Sequence, residues 1–190
     1  SSGEITNAAS VDFTVTFSES VTGLSTSNFQ TVEGAGISGT SVNALSGSGA
    51  SYTVTALTGS GDGTIGLEFN NTAGTTPAIT NIGFQSTETY LIDKTAPTIS
   101  TAVISNPSGV IAKVGDVLTY TLTSGGSEAG LTVTSATINN IDVSGNFTDQ
   151  TGGTYTFTYT VSEGNVDQTA GNIPFSIQLE DASGNTTSTQ

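Results

Sequence analysis

An all-β chain folded as two tandem β-sandwich domains is what this sequence predicts, on three observations. Thr, Ser, Gly and Asn dominate beside Val, Ile, Tyr and Phe, a mixture that suits pleated strands joined by tight turns. Short segments alternate apolar and polar residues with period two, and no long stretch carries the 3.6-residue period of an amphipathic helix. Near the middle an apolar segment ends in Asp93-Lys94-Thr95-Ala96-Pro97, after which the strand pattern restarts. Proline fixes φ, donates no amide hydrogen bond and pushes the residue before it towards an extended conformation. Neither a helix nor a continuous central strand crosses such a segment. It reads as a stiff joint between a domain of residues 1–95 and a domain of residues 96–190.

Residues 1–10 are polar and read as a loop or frayed lead-in. Residues 11–17 alternate, with Val11, Phe13, Val15 and Phe17 on one face of a half-buried strand. Weaker strand candidates at 28–32 and 37–45 are interspersed with Gly34, Gly36 and Gly39. Residues 52–57 form a clear strand led by Tyr52. The turn Gly59-Ser60-Gly61-Asp62-Gly63 follows, and 64–69 is the next strand, with Ile65, Leu67 and Phe69 inward. Residues 70–85 are irregular, and 87–92 lead into the joint. Beyond Pro97 strands are expected at 98–104, 116–123, 131–138, 142–147, 154–161 and 173–179, with a break at Asn106-Pro107-Ser108-Gly109, a turn at 181–185 and a short last strand at 186–190. Within 154–161 the aromatics point in and the threonines out; within 173–179 Ile173, Phe175, Ile177 and Leu179 face inward. The halves repeat one order: a strand and a Ser-Glu pair, weaker strands, a strand led by Tyr (Tyr52, Tyr155), a polar turn, and an apolar strand. Short strands at this spacing describe a sandwich.

The formal net charge is -14, from 16 acidic residues against only Lys94 and Lys113. A nucleic-acid backbone needs a cationic surface, so that partner class is excluded, and anionic lipid would repel the chain. Such a charge strains the compact state by self-repulsion, which bound cations or salt relieve. There is no cysteine and hence no disulfide, and no apolar run long enough to cross a membrane as a helix. With no methionine and no signal-peptide pattern, the sequence reads as a segment of something longer.

Phe17-Ser18-Glu19-Ser20-Val21-Thr22-Gly23-Leu24, Gly61-Asp62-Gly63-Thr64-Ile65-Gly66-Leu67 and Tyr90-Leu91-Ile92-Asp93-Lys94-Thr95-Ala96-Pro97 together resemble the bacterial immunoglobulin-like (BIg-type) repeats of large secreted surface adhesins. Lys113-Val114-Gly115-Asp116, Ser127-Glu128 and Glu180-Asp181-Ala182-Ser183-Gly184-Asn185 resemble a sister repeat. The resemblance covers nearly the whole chain and implies two tandem immunoglobulin-like β-sandwich domains, secretion to the bacterial cell surface, stacking against identical or similar neighbouring domains in an array or fibre, and calcium at domain junctions. Repeats of this kind open with a strand like residues 98–104. The first domain has no such strand before Val11, so its first strand is expected to be missing, either cut away or supplied by another chain, as in a homopolymer.

Calcium takes several oxygen ligands, largely carboxylates and carbonyls. The resemblance makes Asp93, Glu128, Asp181 and Asn185 the candidate ligands of a junction ion; the alternative is that they are solvated turn residues. Asp62 in Gly-Asp-Gly is a weaker candidate, better read as a turn former. Gly61-Asp62-Gly63-Thr64-Ile65-Gly66 fits G-x-G-x-x-G, yet a dinucleotide site needs a following helix, and a strand follows. No His, Cys or Arg is present, which removes the usual nucleophilic triads, zinc sites and anion clamps. No Trp is present to form a sugar platform. Lys113 could join an Asn in an amide cross-link but reads as an exposed loop lysine. Phe13, Phe17, Tyr52, Phe69, Phe157, Tyr159 and Phe175 read as core.

The expected function is that of a non-catalytic spacer or extender in an extracellular bacterial adhesin, with no nucleic-acid partner and no membrane insertion in this segment. The rivals are a filament subunit assembled by strand complementation between subunits and a carbohydrate-binding module.

Overall fold

Strand pairing in the computed structural model, which describes residues 4–106, 109, 111–169 and 171–187, produces an all-β protein. The chain divides into two compact units, Ser1–Thr95 and Ala96–Gln190. Each is β-sandwich-like, with sheets that share one core, and no α-helix occurs among the described residues.

The first unit holds β1 (Glu4–Thr6), β2 (Ser10–Thr16), β3 (Phe29–Glu33), β4 (Ile37–Ser38), β5 (Ser41–Ser48), β6 (Ser51–Leu57), β7 (Ser60–Gly61), β8 (Gly63–Phe69), β9 (Phe84–Gln85) and β10 (Tyr90–Ile92). One sheet runs β1-β10-β8-β3, with β9 also on β8; a second runs β2-β6-β5; β4 and β7 pair alone. Phe13, Val54 and Ala56 from the second sheet meet Ile65, Leu67 and Ile92 from the first. The alternation in β2, β6 and β8 therefore does what period two demands, turning one row of side chains inward.

Residues 37–45 are not one strand, because Gly39 sits at φ +72° and breaks the segment into β4 and β5. Residues 1–10 are not all loop. β1 lies parallel to β10, in the register Glu4↔Tyr90 to Thr6↔Ile92. So the unit does have a strand before Val11, but on the sheet of β10 and not beside β2. Three residues, Glu-Ile-Thr, are too few for a two-residue period to show, and their partner is distant in sequence.

The second unit holds β11 (Ile99–Ser105), β12 (Val117–Ser124), β13 (Thr132–Ile138), β14 (Ile141–Asp142), β15 (Phe147–Asp149), β16 (Thr154–Thr160) and β17 (Phe175–Glu180). Its sheets are β11-β12-β16-β15 and β14-β13-β17. Leu118, Tyr120 and Leu122 of β12, the three aromatics of β16, and Ile177 and Leu179 of β17 build its core. Residues 142–147 are not one strand. Asn139 and Asn140, both at positive φ, make the tight β13–β14 turn. The Asp142 carboxylate then accepts the Ser144 N–H at 2.9 Å and starts a 3-10 turn, Ser144–Asn146, before β15. Of the last expected strand, Thr186 bridges to Glu180, and residues 188–190 lie outside the described residues, as do Pro107 and Ser108 of the expected break.

A buried asparagine ties a long loop in each unit. Asn28 donates through Nδ2 to the carbonyls of Asn71 (2.7 Å) and Ala73 (3.1 Å) and accepts the Ser25 N–H. Asn139 donates to the Tyr159 hydroxyl and the Val166 carbonyl and accepts from Gln168. Each amide is satisfied, which is what allows it to be buried.

Candidate functional site

The last residues of the first unit are bound to the turn between β6 and β8. Gly61 and Gly63 both lie at positive φ, and a Cβ on either would meet the carbonyl oxygen of Gly36 or Ala35. This close approach requires the two glycines, and it presents Asp62 outward between them. The Asp62 carboxylate accepts the Lys94 backbone N–H at 2.6 Å and the Thr95 hydroxyl. These two donors, the hydroxyl foremost, hold its pKa below the ordinary carboxylate value. The Lys94 ammonium donates to the Gly59 carbonyl at 2.6 Å. Asp93 donates its N–H to the Thr6 carbonyl and accepts the Thr95 N–H at 3.1 Å. Every residue from Asp93 to Thr95 is thus held by the unit it terminates.

Asp62 is therefore a turn former with a second task that its local sequence does not announce. Its partners lie more than thirty residues downstream, at Lys94 and Thr95. The strand β8 follows it directly, so no helix end faces the glycine-rich turn.

Of the calcium candidates, Asp181 and Asn185 are brought together. Asp181 is buried, and its carboxylate accepts the N–H groups of Ser183 (2.8 Å) and Asn185 (2.9 Å) and the Asn185 side-chain amide (2.9 Å). This is a closed turn in which the anion satisfies its own loop. Glu128 contributes through its backbone carbonyl, which accepts the hydroxyls of Ser124 (2.7 Å) and Tyr155 (3.0 Å). Tyr52 makes the corresponding bond in the first unit, donating to the Val21 carbonyl at 2.6 Å. Asp93 belongs to the tied end of the first unit. Among the described residues no group of three or more acidic, His or Cys side chains is gathered, and the Asp181 oxygens face three N–H donors.

A cleft of about 720 Å³ opens in the second unit between the loops that follow β11 and β16. Its one described aromatic, Tyr159, is buried and donates to Asn165 at 2.7 Å. Asn139 and Gln168 bond each other there. Tyr159, Asn139, Asn165 and Gln168 are thus engaged in holding the loop. Lys113 is exposed, and its N–H bonds the Asp116 carboxylate at 2.8 Å.

Comparison with protein-family models, with curated proteins and with solved structures finds no match to this chain.

Proposed function

We propose that this chain is a non-catalytic spacer segment of an extracellular bacterial surface protein, built of two tandem immunoglobulin-like units. The observation that carries the reading is the tie at Asp62. It secures the first unit up to Thr95, and the second unit begins at Ala96. A first unit held to its last residue, followed by Pro97 with its fixed φ, suits a part whose task is to hold distance. The strand orders support the immunoglobulin-like reading. In the second unit β11-β12-β16-β15 and β14-β13-β17 correspond to the two sheets of such a sandwich, and in the first unit β2-β6-β5 and β10-β8-β3 repeat them. Calcium held by Asp93, Glu128, Asp181 and Asn185 is a stronger form of the proposal. A melting temperature unmoved by calcium or chelator removes that form and leaves the tie.

The test is a pair of spin labels, one per unit, read by double electron–electron resonance on dilute protein. A narrow distance distribution that broadens in Asp62→Ala is expected. A broad distribution in the unsubstituted chain overturns the spacer reading.

A further inference from the structure

Each sheet has edges, and among the described residues the outer edge of β2 has no strand beside it. Among the described strands β2 pairs with β6 alone. The Phe17 N–H bonds the Ala50 carbonyl and the Thr58 N–H bonds the Ala9 carbonyl. Odd-numbered residues therefore face β6, and the backbone groups of Asp12, Thr14 and Thr16 point the other way. The Tyr90 hydroxyl caps the Asp12 carbonyl at 2.7 Å, which leaves Thr14 and Thr16 as the open stretch. Beside them runs an apolar groove of about 380 Å³, lined by Val15, Phe17, Phe69, Ile79 and the exposed Phe84. In the second unit the corresponding edge, that of β12, is covered by β11, paired antiparallel from Ile99 to Ser105.

We propose that the open edge of β2 pairs with β11 of a second copy of this chain. β11 is itself an edge strand, so it can offer its outer side while keeping β12. It exposes Val103 at 60% and Ile104 at 41%, neighbours on opposite faces of the strand, so that whichever row faces the groove brings an apolar side chain to it. Charge selects this pairing. Two copies carrying -14 each repel, so contact must form between uncharged surfaces. β11 has no ionisable residue, and among the described residues lining the groove Glu19 alone is ionisable. The contact joins different surfaces of two copies, so each copy offers one donor strand and one acceptor edge, and association builds closed rings or open chains.

The experiment is sedimentation of the full chain at rising concentration in low and high salt, with amide hydrogen exchange read at Thr14 and Thr16. Association that strengthens with salt and slows both amides roughly tenfold or more is expected. Thr14→Lys and Val103→Lys, each on an exposed edge, should abolish it, because an edge lysine blocks strand addition. Each also lowers the repulsion between copies, so a merely electrostatic association would strengthen instead. A chain that stays monomeric, an association that survives both substitutions, or unslowed amides at Thr14 and Thr16 overturns the proposal. None of these bears on the distance distribution of the dilute monomer, so this inference and the spacer reading fail separately.

Discussion

The two units share a sheet plan and differ in where the opening strand goes. In the second, β11 lies against β12, and the inward row of β12 is buried from end to end: Leu118, Tyr120 and Leu122. In the first, β1 joins β10 on the opposite sheet, and the inward row of β2 fades along its length. Val11 and Phe13 are buried, whereas Val15 and Phe17 are only partly so. The same alternating pattern thus gives two burial profiles. Period two decides which face a side chain takes; a neighbouring strand decides how much water is removed from it.

Cutting one core at a time tests how separate the units are, with the largest expected effect. Phe13 is 1% exposed and meets Tyr90 edge to face at 5.3 Å. Phe13→Ala should cost about 3–4 kcal/mol and lower one calorimetric transition while leaving the other in place. Phe157→Ala, in the core of the second unit, should move the other transition by a similar amount. Both transitions moving together in either variant would break the comparison.

A difference in alkali sharpens it. Burial, with a smaller push from Tyr159, raises the Tyr120 pKa to about 12. The unfolded chain ionises this group near 10, so between these values the unfolded state binds fewer protons and stability falls as pH rises. Tyr120 stacks on Phe175 at 4.9 Å, a contact phenylalanine can keep. Tyr120→Phe should therefore flatten the alkaline loss of the second unit by about 2 kcal/mol, seen in melts across that range.

The smallest effect is at the acid end of the first unit. Asp62 has a lowered folded-state pKa, so its contribution is complete above the ordinary carboxylate value and fades as pH falls through and below it. Asp62→Asn should cost about 1 kcal/mol at neutral pH and remove that acid dependence from the first unit's transition only. An unchanged acid limb would mean that other carboxylates set it.

Much of the fold was legible because the strong strands are local patterns. Residues 11–17, 64–69 and 154–161 alternate strictly, as do 52–56, and they match β2, β8, β16 and β6. The inward aromatics of β16 follow from the same rule. β1, β7 and β9, at three, two and two residues, are shorter than any period can reveal. They exist because distant backbone groups need partners. The site was less legible for the same reason. Asp181 and Asn185 stand four apart, and their closeness is local. The hold of Asp62 on Lys94 and Thr95 depends on β8 and β10 lying side by side, which no spacing in the sequence states. Glu128 was singled out for its carboxylate, whereas its carbonyl receives Tyr155, a role that any residue there could fill.

The chain has two amines on lysine side chains, and the fold makes them chemically unequal. Lys94 is partly covered and its ammonium is committed to the Gly59 carbonyl, while Lys113 stands exposed on a loop of the other unit. An acylating reagent at limiting dose will reach Lys113 first, because the Lys94 ammonium must leave its acceptor before it can react. Lys113 is therefore the side-chain amine to address first, placed where a dye, a surface or a tether can be attached without disturbing the end of the first unit.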